Sequence, residues 1–130
     1  MYQRLDSKKQ LAGILPKHPH IGGIWAANDV MAFGALDALG EAKRTTKIVG
    51  ANGLDDAIKH IDSGVMLASV DFSSFKLACL AMQAALRHLK GEAVPKTITV
   101  PVLLIDRANV QAWKTPILER PCPTWDEVVK

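Results

Sequence analysis

No apolar run in this chain of 130 residues approaches the roughly 20 residues that a membrane-crossing helix needs. The stretch from Met1 to Lys9 is polar and lacks the hydrophobic segment of a secretory signal, so these residues say nothing about compartment. Cysteine is sparse, with Cys79 inside an expected helix and Cys122 in a Pro-rich tail. Neither has the Cys/His spacing of a metal site, and no metal is expected. Free thiols are the simpler reading, because a disulfide requires the tail to fold back. Basic residues are scattered rather than bunched: the formal charge is +3, and Lys8-Lys9 and Lys43-Arg44 are the densest pairs. That describes a solvated surface, not the basic stripe of a nucleic-acid footprint.

Catalytic signatures are missing too. No serine lies in a G-x-S-x-G context, and no phosphate-binding loop occurs. Gly50-Ala-Asn-Gly53-Leu-Asp has two glycines without the G-x-G-x-x-G spacing of a dinucleotide site. His18, His20, His60 and His88 are dispersed, and a solvated loop accounts for the first two. Neither an enzyme nor a cofactor is expected. There is no internal repeat beyond the βα unit and no low-complexity tract.

What the chain does contain is a composition 48% hydrophobic, ordinary for one packed domain. Its apolar runs alternate with helical periodicities. Helix is expected over 3–15, with Leu5, Leu11, Ala12 and Leu15 inward and Pro16 and Pro19 as stops. Strand follows over 21–27, then a helix over 30–39 capped by Asp29 or Asn28 and ended by Gly40. KIVGA at 47–51 is a short strand, 54–62 a helix ending at Gly64, and 65–70 a third strand. The longest helix, 74–90, is expected to bury Leu77, Ala78, Ala81, Met82, Ala85 and Leu89. Its Lys76, Gln83, Arg87 and Lys90 should face outward, and Gly91 closes it. A fourth strand, 97–105, contains Pro101, which places it at an edge or leaving the sheet. Alternation of this kind predicts an α/β fold: a Rossmann-like, doubly wound parallel sheet. The tail beyond Arg107 carries Trp113 and Trp125, which need something to lie against.

Three of the apolar runs end on small polar residues that lead into helices. Asn28, Asp29, Asn52 and Asp71 therefore fall at strand carboxyl ends, where ligands settle in parallel sheets. For Asp29 a capping role suffices. For Asn28 a structural and a functional reading stand level, since an amide offers two donors and an acceptor to a sugar hydroxyl. Asn52-Gly53 reads locally as a tight turn. Asp71 and Phe72 precede two spare capping serines, so either can face a cleft, although for Phe72 taken alone core burial is the favoured reading.

The strings from His18 to Ala42, Lys47 to Glu92 and Thr97 to Val110 resemble one family. They are similar to the carboxyl-terminal lobe of ribose/galactose-type periplasmic sugar-binding proteins of ABC importers. The blocks carrying the resemblance are AND-x-MA-x-GAL-x-AL and IVG-x-N-G. It implies residues 1–110 as a sugar-binding lobe whose first strand is missing, and 111–130 as a tail. It also implies a sugar or polyol held between this lobe and a missing amino-terminal lobe, delivery to an ABC permease, and a periplasmic location. No nucleic-acid partner is implied. By position Asn28 matches a sugar-binding Asn, Asn52 falls where an Asp is common, and Phe72 falls where a Gln is frequent, with Asp71 before it. Those two departures point away from ribose and galactose themselves. The effector-binding core of a lactose-repressor-like regulator is the alternative, disfavoured because SGVMLASVD stands where repressors carry a proline-rich segment. A lobe without its first strand leaves an unpaired edge, so a homo-oligomer of this chain is a further expectation.

Overall fold

The computed structural model describes residues 3–129. Its regular elements are α1 (Arg4–Ile14), β1 (Gly23–Trp25), α2 (Asp29–Glu41), β2 (Lys47–Ala51), α3 (Asp55–Asp62), β3 (Ala68–Asp71), α4 (Ser74–Leu89), β4 (Leu103–Asp106) and a short α5 (Trp125–Val128). The strands lie in the order β1-β2-β3-β4, and the first two pairings are parallel, as the alternating pattern predicts. β4 joins antiparallel, opposing Leu103 to Asp71 and Asp106 to Ala68. The strand expected over 97–105 is thus shorter, at the edge, and reversed. Pro95 and Pro101 keep the segment after α4 out of the ladder. That segment leads the chain back to the carboxyl end of β3, so β4 enters the sheet from above.

The register sets which side chains share a face. Ile24 opposes Ile48, Gly50 opposes Ser69, and Ser69 opposes Ile105. Ile48 and Ile105 from that face are fully buried, together with Ile61 of α3, and Ala32, Ala35, Ala38 and Leu39 of α2 belong to the same core. Each such isoleucine contributes about 1.5–3 kcal/mol of hydrophobic stabilisation. Ala68, on the opposite face, is buried, as are Cys79 and Leu80 of α4, and none of the three belongs to that main core. Trp25, also on the opposite face, is 85% exposed.

α1 and the turn that follows it dock on α2 through Leu11 and Leu15, while Leu5 and Ala12 stay exposed. Ion pairs Arg4–Asp37 and Lys8–Glu41, both at 2.6 Å, and a bond from Ser7 Oγ to the Met31 carbonyl at 2.8 Å fix the crossing. A Cβ on Gly34 would collide with the Arg4 carbonyl, so only glycine allows this approach. Gly40, expected to end α2, stays inside it, and Lys43 at φ 54° takes the left-handed turn instead.

Two expectations about α4 and the tail are overturned. The stripe Leu77, Ala78, Ala81, Met82, Ala85 and Leu89 is exposed, and Cys79 and Leu80 are the buried residues. The tail folds back and Cys79 is bonded to Cys122, so the thiols are not free. Gln83, expected outward, donates from Nε2 to the Pro123 carbonyl at 2.9 Å, and the Arg87 guanidinium lies 4.8 Å above the Trp125 ring. A covalent bond, a hydrogen bond and a cation–π contact orient the helix toward the tail, and the apolar stripe is left outside.

Gly34→Ala is expected to cost about 1–3 kcal/mol because the colliding atom is backbone and cannot swing away. Gly40→Ala, where an added Cβ meets nothing within 4 Å, should instead stabilise by about 0.5–1 kcal/mol. Urea unfolding midpoints of the two variants check this pair.

Candidate ligand-binding rim

The carboxyl ends of the three parallel strands stand side by side. Trp25 pairs with Val49, and Ala51 pairs with Val70. The ladder continues past the strand ends: Ala26 N–H donates to the Val49 carbonyl at 2.9 Å and Asn52 N–H to the Val70 carbonyl at 2.8 Å. Asn28 and Asn52 each lie three residues beyond the paired Trp25 and Val49, on strands about 4.8 Å apart. Asn52 and Asp71 each follow a paired residue directly. One edge of one parallel layer therefore carries all three.

Asn28 is itself the cap of α2: its Oδ1 accepts from the Met31 N–H at 2.8 Å. The amide Nδ2 donates to no described residue. Asp29 is not the cap. It is fully buried, with Oδ2 accepting from Leu54 N–H at 2.9 Å and Oδ1 from Ser69 Oγ at 2.7 Å, while Ser69 Oγ accepts from Gly53 N–H at 3.1 Å. This network ties the start of α2 to the β2–α3 loop and to β3. Gly50 is required beneath it, because a Cβ there would strike Asp29 Oδ1. Burial pushes the Asp29 carboxyl above its ordinary value, against the bonds from Leu54, Ser69 and Gly53 that favour the charged form, and the nearby Asp71 adds to the rise. Residue type and spacing gave no warning of this link. The one available signal was a serine inside the apolar run of β3.

Asn52 is half-buried, and its side chain makes no hydrogen bond to any described residue. Its φ of 117° is a conformation non-glycine residues rarely hold, and such strain gathers at functional positions. Asp71 departs from the expected cleft-facing role. It is 5% exposed, and its carboxylate accepts from Ser73 N–H at 2.7 Å and Ser73 Oγ at 3.3 Å. The loop turns it inward and leaves Phe72, 39% exposed, as the outward aromatic at this strand end. Core burial of Phe72 is thereby excluded. Among the described residues no group of His, Cys, Asp and Glu could hold a metal ion.

Asp29→Ala is expected to destabilise the chain by about 2–4 kcal/mol, since it orphans the Leu54 N–H and the Ser69 hydroxyl and leaves a void. Because the folded carboxyl titrates above its ordinary 3.8, its contribution is fully present below that pH and is lost as pH rises through the folded value. Asp29→Asn should flatten that part of a stability–pH curve measured by urea unfolding.

A family model described as a periplasmic binding protein domain matches residues 1–93. The ribose import binding protein of Bacillus subtilis (strain 168) is 32% identical over 103 residues, covering 79% of this chain and 34% of that protein. The D-allose-binding periplasmic protein of Escherichia coli (strain K12) is 34% identical over 71 residues, covering 53% of this chain and 23% of that protein. In structure the chain is similar to a periplasmic solute-binding protein of Actinobacillus succinogenes 130z with bound D-allose. That match has a TM-score of 0.81 and 26% identity, and it covers 85% of this chain and 40% of that one. The Caulobacter myo-inositol binding protein bound to myo-inositol aligns with a TM-score of 0.79 and 25% identity, over 85% and 39% of the two chains. These relatives are binding proteins, and the matches span only 34% and 23% of the two curated ones. With an α/β sheet whose first three strands are parallel, a strand-end polar rim and a family match over most of its length, the chain belongs to the periplasmic binding protein domain family.

Proposed function

We propose that this chain is one jaw of a sugar- or polyol-binding protein serving an ABC importer, and that it binds without turnover. The observation carrying this is Asn52: an uncommitted amide, held at a strained φ on the strand-end rim beside the free Nδ2 of Asn28. Phe72 supplies a flat face on which the apolar side of a sugar ring can stack, and Asp71 shapes its loop rather than touching ligand. Relatives whose names specify ribose, allose and myo-inositol support a small polyhydroxylated ligand. An Asn in place of a carboxylate and a Phe in place of an amide favour one other than ribose. The Cys79–Cys122 bond supports an oxidising compartment, in keeping with a periplasmic site.

A single jaw supplies half of the hydrogen-bonding groups and does not exclude water, so affinity should be weak. Titration with D-ribose, D-allose and myo-inositol, followed by side-chain amide resonances, is expected to shift Asn52 and Asn28 at millimolar ligand, and Asn52→Ala should abolish the response. Absence of any shift at either amide sinks the rim, and micromolar affinity by calorimetry sinks the one-jaw reading. We also propose self-association through β1, whose far edge pairs with no described strand and whose Trp25 is exposed. Sedimentation should show mass rising with concentration, lessened by Trp25→Lys; a monomer at high concentration contradicts it.

A further inference from the structure

On the β4 side of Asp71, away from Asn28 and Asn52, a cavity of about 430 Å³ opens between the sheet and the tail. That volume lies in the range of small-molecule sites. One wall is Phe75 and Lys76 from the first turn of α4 with Leu103 of β4; the other is Trp113, Ile117 and Pro121 of the tail. Asp71, whose carboxylate is turned inward, is the one rim residue that lines it; neither rim asparagine nor Phe72 does.

The tail wall is built rather than draped. Cys122 is bonded to Cys79, and Ile117 N–H donates to Asp55 Oδ1 at 3.3 Å. Arg120 donates to the carbonyls of Thr115 at 2.8 Å and Trp113 at 3.0 Å while its guanidinium stacks 5.1 Å from the Trp113 ring centre. Those contacts commit the Arg120 donors and hold the indole in place. The Asp71 carboxylate is likewise committed to Ser73. Among the charged groups lining the cavity, Lys76 alone makes no hydrogen bond or ion pair with a described residue.

The charged lining is two cations, Lys76 and Arg120, against the one carboxylate of Asp71, and Lys76 is the cation without a protein partner among the described residues. An apolar, aromatic-walled cavity with that excess selects a small flat body carrying one negative charge. We propose that this cavity is a second ligand site, separate from the sugar rim, for a small aromatic carboxylate. The carboxylate pairs with the Lys76 ammonium, and the ring lies between Phe75 and Trp113.

The test is a benzoate titration of the full chain, followed by the indole N–H resonances. Trp113 should shift, and the exposed Trp25, which does not line the cavity, should not. Lys76→Ala should weaken binding about tenfold, the loss expected for one charge-assisted contact. Benzyl alcohol, isosteric but neutral, should bind more weakly than benzoate. Reducing the disulfide should weaken benzoate binding as the tail wall loosens, and because exposed Lys76 supports nothing else, its variant carries the test even if reduction unfolds the chain. No shift at Trp113, or an unchanged response in Lys76→Ala, overturns the proposal. D-ribose followed at Asn52 is read separately, so failure at one site is distinguishable from failure at the other.

Discussion

The buried carboxylate of Asp29 is the point at which this lobe is held together. Three strand ends must stay level for their polar residues to form one edge, and backbone pairing stops short of the loops. Asp29 closes that gap by accepting from Leu54 N–H and Ser69 Oγ, and Ser69 in turn accepts from Gly53 N–H. An α2 terminus, a β2–α3 loop and a β3 strand are thereby locked to one side chain. A buried charge is tolerated only when its lone pairs are answered, and here burial still outweighs the donors enough to raise its pKa.

The same link explains the strained loop next to it. Gly53 and Leu54 are drawn toward Ser69 and Asp29, so Asn52 must turn through φ 117° to reach them. The strain at Asn52 is offset by the network it feeds, and the asparagine side chain is left without a partner among the described residues. A group held in place by backbone constraint, with its own polar atoms unspent, is preorganised for a ligand. Structure and site are therefore one arrangement: the bonds that secure the loop are also those that present the amide.

The tail plays a different part. It ties α4 with a disulfide, a carbonyl bond and an arginine–indole contact, and it gives Trp113 and Trp125 the partners that exposed tryptophans need. The apolar stripe of α4 and the indole of Trp25 stay exposed. Those surfaces are consistent with a lobe that spans about a third of its relatives' length, and both are apolar enough to seek a covering surface.

Local pattern was enough for the existence and order of α1 to α4 and the three parallel strands, though not for the short α5 in the tail, because period and punctuation are properties of neighbouring residues. It was also enough to place Asn28, Asn52 and Asp71 at strand ends, which follows from where each apolar run stops. The direction of β4, the inward turn of Asp71, the bond between Cys79 and Cys122 and the reversal of α4 were not legible. Each depends on residues distant in the chain: the Ser73 donors rest on a left-handed turn, and Cys122 lies 43 positions from its partner. Long-range pairing is settled by which surfaces meet after collapse, and periodicity carries no record of that. Amphipathic pattern shows that a helix has an apolar side; only the folded chain decides whether sheet, tail or solvent lies against it.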